Sequence, residues 1–228
     1  NAIINCIGVT GKRNVDDCEI DKDATLFANS YIPMLLAEVA MRNKIKFVHV
    51  SSGCIYSYEY NSDKPITERK IPDFFDLYYS RSKIYAERAL EILSSKFNVL
   101  IIRLRIPLDN QPHPRNILTK LIKYKSIIDV PNSITYMPDF LEALKYLLRR
   151  DARGIYNVVN KGALRYLNLM KLYKKYNPQF NFRILPYSNL KLVRTNLLLS
   201  TKKLEQSGFK VRNINSVLEE CVKTYLKS

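Results

Sequence analysis

Tyr79 and Lys83 are the pair in this sequence with the sharpest chemical meaning, in the run Tyr79-Ser-Arg-Ser-Lys83. On a helix, positions four apart share a face about one turn from each other. A lysine ammonium there favours tyrosinate and lowers the phenol pKa from its ordinary value of about 10. A tyrosine so poised can pass a proton to or from a carbonyl oxygen near neutral pH. Tyr78 is the neighbouring alternative, but its partner four residues on is the uncharged Ser82. The same spacing occurs by chance in many helices, so its surroundings decide its meaning. About 27 residues upstream, an apolar run ends in Ser51-Ser52-Gly53-Cys54. A hydroxyl at the end of one strand, ahead of a helix carrying Tyr and Lys, suits the handling of a carbonyl.

Those residues need elements to hold them. Residues 2–9 (AIINCIGV), 45–52 (IKFVHVSS), 98–106 (NVLIIRLRI) and 154–159 (GIYNVV) read as short strands rich in branched residues. Between and after them, 22–43, 78–96, 115–125, 139–150, 164–176 and 214–227 carry apolar residues at helical spacing. Leu26, Leu35, Leu36 and Val39 are the expected anchors of the first helix, and Tyr85, Leu90 and Leu93 of the second. The stretch 57–77 is a polar, proline-containing loop. Strands alternating with helices of this length predict an α/β fold, a Rossmann-like doubly wound parallel sheet covered on both sides. Ligands of such sheets bind beyond the carboxyl ends of the strands, where Ser52 and the start of the Tyr79 helix meet.

With 228 residues, 46% hydrophobic and 25% charged, the composition is that of a globular chain. No uninterrupted apolar stretch of 18 residues occurs, which argues against a membrane partner. The net charge of +16 favours anionic ligands. Because the basic residues are spread rather than clustered, and no nucleic-acid motif is present, nucleic acid is not expected. Cys6, Cys18, Cys54 and Cys221 lie far apart and only His49 and His113 accompany them, so no metal site is expected and a cytoplasmic setting with reduced thiols is.

The motifs GVTGKRNVDDCE (8–19), SSGCIY (51–56), YYSRSKIYAE (78–87), RLRIPL (103–108), HPRNILTKL (113–121) and VPNSIT (130–135) resemble the extended short-chain dehydrogenase/reductase family. The branch they resemble is the bifunctional UDP-4-keto-6-deoxyglucose 3,5-epimerase/4-reductases of UDP-L-rhamnose synthesis. The resemblance spans nearly the whole chain. It implies NADPH as cofactor, a UDP-sugar as substrate and a homodimer. It implies that Tyr79, Lys83 and Ser52 carry the reduction, with Asn29 supporting the proton relay, and that Cys54 and Lys120 carry the epimerisation. His113 competes with Lys120 for that second role. The cofactor would meet Gly8, Val9, Thr10, Tyr79, Lys83, Arg105 and Pro107. The sugar nucleotide would meet Thr10, Gly53, Arg115, Asn116, Asn132, Ser133 and Arg194, an arginine fork being well matched to phosphate.

In domain terms the reading gives 1–110 to a nucleotide-binding domain and 111–228 mainly to a small substrate lobe, with segments near 127–160 returning to the first. The Gly-rich turn that opens such domains is not found among the six glycines. Asn1 falls where the family's fourth strand is expected, so about 60 preceding residues are expected on the resemblance. Competing readings are a GDP-fucose or dTDP-rhamnose enzyme of the same fold, or a non-catalytic NADP(H)-binding regulatory subunit.

Overall fold

The computed structural model describes residues 1–12, 14–57, 64–186, 188 and 196–228. The chain divides into two compact units. The first comprises 1–57, 68–103 and 147–157, and the second 58–67, 104–146 and 158–228.

Four strands form the sheet of the first unit: β1 (Ala2–Asn5), β2 (Lys46–Ser52), β3 (Val99–Leu104) and β8 (Gly154–Asn157), in the order β1-β2-β3-β8. β1 pairs with β2 and β3 with β8 in parallel, the arrangement expected of strands joined by helical crossovers. β2 is buried along nearly all its length, so its FVHV run needs no polar alternation. β1 stops at Asn5, earlier than the apolar run suggests, because the Asn5 side chain accepts from the Ile7 amide at 3.0 Å and bonds His49.

The helical stretch Lys22–Arg42 is α1 (Lys22–Leu26), a π turn (Phe27–Tyr31) and α2 (Ile32–Arg42). By length and composition alone it could cross a membrane. It packs on β1 and β2 instead, and the packing corrects the expected anchors. The buried residues are small or polar: Thr25, Asn29, Ser30, Pro33, Ala37 and Ala40. Leu26, Leu35 and Val39 are exposed, and Leu36 is only partly buried. Ala37 and Ala40 sit with Phe47, Leu90, Val99, Ile101 and Ile155 in one core, letting the helix approach the sheet closely. In α3 (Tyr78–Ser94), Leu90 is buried as expected, whereas Tyr85 lies outside.

The second unit begins its order with β4 (Pro107–Leu108), α4 (Ile117–Tyr124), β5 (Ser126–Ile128), β6 (Pro131–Asn132) and β7 (Thr135–Tyr136). α5 (Met137–Arg149) follows and ends within the first unit. β9 (Leu164–Arg165), α6 (Tyr166–Tyr176), β10 (Arg183–Leu185), α7 (Lys202–Gln206) and α8 (Ile214–Tyr225) complete it. Its strands form two-stranded pairs around a core that includes Leu118, Tyr136, Leu169, Met170, Val217 and Cys221. These strand pairs are too short to show a period of two in the sequence. Asn116 starts α4 by accepting from the Leu118 amide at 3.1 Å, and Lys125 ends it at φ 52°.

The close approach at Ala40 has a measurable consequence. Ala40→Leu overpacks the seam between α2 and the sheet and costs about 1–3 kcal/mol of stability, read as a lower urea midpoint. Ile92→Ala, on an exposed side of α3, leaves that midpoint nearly unchanged.

Candidate active site

β2 delivers Ser52 to the sheet's carboxyl end, and the turn after it is tied to α3. The Cys54 amide donates to Ser52 Oγ at 3.1 Å, and Ser80 Oγ, in the first turn of α3, donates to the Cys54 carbonyl at 2.5 Å. Ser52 and Gly53 are buried and Cys54 is half-buried. One hydrogen bond therefore fastens the Ser52–Cys54 turn to the turn of helix that carries Tyr79.

No side chain of its own caps α3. The NVDDCE segment supplies the cap from a distance: Glu19 Oε1 accepts the Tyr78 amide at 2.6 Å. A carboxylate there satisfies an amide with no intrahelical partner and complements the helix dipole. Lys22 and Arg81 lie over the Tyr78 ring at 5.7 and 5.1 Å, while Tyr79 is buried.

Asn29 connects three pieces of the site. Its Oδ1 accepts from the Val9 amide at 2.8 Å, and its Nδ2 donates to the Val9 carbonyl and to Ser82 Oγ, each at 3.0 Å. Ser30 adds a bond from its hydroxyl to the Ser82 carbonyl at 2.6 Å. The π turn that carries them is a local device found often at functional sites. Gly11, at φ 72°, makes the turn beyond the clamped segment.

Lys83 is buried with its ammonium against the backbone of Gly8, where a Cβ would lie 3.2 Å from Nζ and 3.1 Å from Asn29 Oδ1. Burial pushes the Lys83 pKa down from 10.5 to about 8, with the charge of Glu87 and then Cys6 and Cys18 acting in the opposite direction. His49 is fully buried on β2; burial and the Lys83 charge hold it neutral, well below 6.5. Asn5 Nδ2 lies 3.1 Å from His49 Nδ1, and Nε2 has no hydrogen-bond partner among the described residues.

Of the other expected residues, Thr10 is half-buried in the loop beside Val9. In the second unit Arg105 is buried, bonded through Nη2 to Asn132 at 3.1 Å, and Pro107 is exposed. Between them Ile106 takes φ 38°, a costly conformation for a β-branched residue and one that clusters at functional sites. Asn116 spends its side chain on its own loop, donating to the carbonyls of Asp109 and Gln111 at 2.8 and 2.9 Å. Asn132 and Ser133 hold the 196–199 segment through the amides of Leu197 and Leu199. Arg115 and His113 are exposed, and His113 Nδ1 accepts from the Arg115 amide at 3.2 Å. Lys120 is half-buried; burial, then the Arg115 charge, lowers its pKa from 10.5. Arg194 lies outside the described residues.

The sequence reading passed over Glu19, Ser80, Ser82, Glu87 and Arg103. Glu87 could have been found by spacing, since 79, 83 and 87 fall on one helix face.

The sequence matches the family described as RmlD substrate binding domain over residues 1–226. It is 30% identical over 245 residues to an Arabidopsis thaliana bifunctional dTDP-4-dehydrorhamnose 3,5-epimerase/dTDP-4-dehydrorhamnose reductase, covering 99% of this chain and 79% of that protein. The UDP-rhamnose synthase of Acanthamoeba polyphaga mimivirus superposes with a TM-score of 0.89 at 25% identity, over 98% of this chain and 82% of that one. A Bacillus anthracis dTDP-4-dehydrorhamnose reductase in complex with NADP shares the fold, with a TM-score of 0.80 at 19% identity over 99% and 80% of the two chains.

The packing at Gly8 gives a test. Gly8→Val places methyl groups where Lys83 and Asn29 already stand and lowers the urea midpoint by about 1–3 kcal/mol equivalent; Gly8→Ala, which asks its neighbours to give only a few tenths of an ångström, costs less.

Proposed function

The chain belongs to the RmlD substrate binding domain family, and from that premise we propose that it makes UDP-L-rhamnose from UDP-4-keto-6-deoxy-D-glucose, by epimerisation at C3 and C5 followed by NADPH-dependent reduction at C4. The observation that carries this reading is the Ser80–Cys54 bond, which fastens the turn with Ser52 and Cys54 to the start of the helix that carries Tyr79 and Lys83. Its support beyond geometry is the family match, the bifunctional name of the Arabidopsis relative, and the UDP-rhamnose synthase whose structure superposes so closely. The dTDP-sugar name of the Arabidopsis protein favours a second reading, in which the same chemistry acts on a dTDP-linked sugar.

NADPH supplies a hydride to the C4 carbonyl carbon when bound. The residues present suit its nicotinamide end: a buried ammonium at Lys83 lies close against the Gly8 backbone, where even a Cβ would be a tight contact. Lys83 and the Gly8–Thr10 backbone would hold it there, joined on the resemblance by Arg105 and Pro107.

Ser52 Oγ already accepts the Cys54 amide, so its own proton is left to donate to the C4 oxygen of the sugar. Tyr79 gives the C4 oxygen its proton, and the Lys83 charge lowers the cost of the tyrosinate left behind. Asn29 serves by clamping Val9 to Ser82, which keeps the loop and α3 in register. Before reduction, the protons at C3 and C5 are acidic because both flank the ketone. Cys54 and Lys120 exchange them, with burial and the Arg115 charge lowering the Lys120 pKa and so easing its proton's departure. Arg115, Asn116, Asn132, Ser133 and Arg194 are assigned to the nucleotide diphosphate side on the resemblance. The first unit thus serves the cofactor and the second mainly the sugar nucleotide.

We also propose a homodimer. Phe27, Tyr31, Leu35 and Val39 recur every four residues along one exposed side of the Lys22–Arg42 helix, and Phe27 and Tyr31 keep 54% and 53% of their surface open. A second copy of the chain would cover them.

Two measurements test the proposal. In D2O with UDP-4-keto-6-deoxyglucose and NADPH, the full-length protein should exchange deuterium at C3 and C5, oxidise NADPH and release UDP-L-rhamnose, followed by NMR and NADPH absorbance. Tyr79→Phe should lower reduction by about 10²–10⁴-fold, while Cys54→Ser should abolish exchange and leave reduction of pre-epimerised substrate measurable. Loss of both activities in Cys54→Ser would overturn the division of roles. For the dimer, light scattering after size exclusion should give twice the chain mass, falling to one in Phe27→Glu/Leu35→Glu; a monomeric wild type would rule the dimer out.

A further inference from the structure

Glu87 stands one turn beyond Lys83 and two beyond Tyr79 on α3, fully buried, and the mechanism above does not use it. Its Oε2 accepts from Arg103 Nε at 2.8 Å and Nη2 at 2.6 Å, and its Oε1 accepts the Ser51 hydroxyl. Arg103, equally buried, donates through Nη1 to the Tyr56 hydroxyl and lies 5.3 Å from that ring. Tyr56 in turn donates to the Lys70 carbonyl at 3.2 Å. The carboxylate is therefore fixed by three hydrogen bonds from two residues, and one of them, Ser51, is the residue immediately before Ser52.

We propose that Glu87 is a positioning residue for the reduction: held by Arg103 and Ser51, its carboxylate keeps the buried Lys83 ammonium charged and fixes the end of β2 that presents Ser52. The inference rests on the assignment of Tyr79, Lys83 and Ser52 above. The groups facing Lys83 are Glu87 on its own helix, Cys6 after β1, Cys18 on the 3-10 turn Val15–Glu19, and His49 on β2. Burial raises both thiols above their ordinary value of 9.0 and keeps His49 neutral. Among these groups Glu87 is the one carboxylate, and it opposes the loss of the Lys83 proton that burial favours.

Glu87→Gln strands the Arg103 guanidinium without its counter-ion and can unfold the unit. The informative variant is Glu87→Gln/Arg103→Met, which removes both charges at similar volume, with Glu87→Asp as the charge-keeping control. In the double variant the alkaline limb of the kcat profile should move down by about one pH unit or more; in Glu87→Asp it should stay in place. A second readout needs no turnover. Lys83 has a folded pKa of about 8 against 10.5 in the unfolded chain, so the unfolded state binds the extra proton between those values and stability rises across that window as pH increases. In the double variant the rise in urea midpoint should begin below pH 8. A profile that loses height at every pH without moving, with the stability rise starting where the wild type's does, would reduce Glu87 to a structural residue and overturn the proposal. Undiminished reduction by Tyr79→Phe would instead overturn the site assignment on which it rests.

Discussion

An ammonium cannot be taken out of water cheaply, and the first unit is organised around having done so at Lys83. Desolvation favours the neutral amine, and an uncompensated charge simply gives up its proton. Here the compensation comes from within the same helix. A carboxylate one turn away would itself resist burial, so Glu87 needs Arg103, and Arg103 needs Tyr56. The charged core thus reads as a chain of obligations starting from one lysine. Such pairs contribute little net stability; what this one supplies is a fixed field at a fixed place.

The same helix must also be held in register with the strand end, and the fixings are polar and short-range. Glu19 caps the first amide of α3, Ser80 grips the Cys54 carbonyl, and Ser82 takes the Asn29 amide. All three act within the first turn and a half, where Tyr79 and Lys83 sit. Farther along, α3 relies on apolar burial at Leu90. The precision needed for proton transfer is bought by directional bonds at one end, and hydrophobic packing supplies cohesion at the other.

Much of this was legible in the sequence because it follows from spacing. The alternation of branched strands and helices, and the Tyr79/Lys83 pair behind a strand-end serine, need only the helical and strand periods. What escaped was of two kinds. The short strand pairs of the second unit carry no period to read. The faces of the Lys22–Arg42 helix were read the wrong way round because large apolar residues look like core. At a seam where a helix must lie close on a sheet, alanine serves better, and Leu26, Leu35 and Val39 are left outside while Leu36 packs at the core's edge. The remote partnerships Glu19–Tyr78 and Glu87–Arg103 span 59 and 16 residues, and no local pattern announces them.

One helix face joins these features. An α-helix sets side chains 100° apart, so residues seven and eleven apart share a face, and Ser30 and Asn29 fall on the same side as Ala37 and Ala40. The wider turn at Phe27–Tyr31 carries the polar pair. Asn29 and Ser30 then face inward, where they hold the loop at Val9 and the backbone at Ser82, while Phe27 and Tyr31 stack on each other outside at 5.5 Å. One face of the Lys22–Arg42 helix therefore carries both the seam and the clamp, and the Gly8–Thr10 loop is held against the lysine whose charge the rest of the unit maintains.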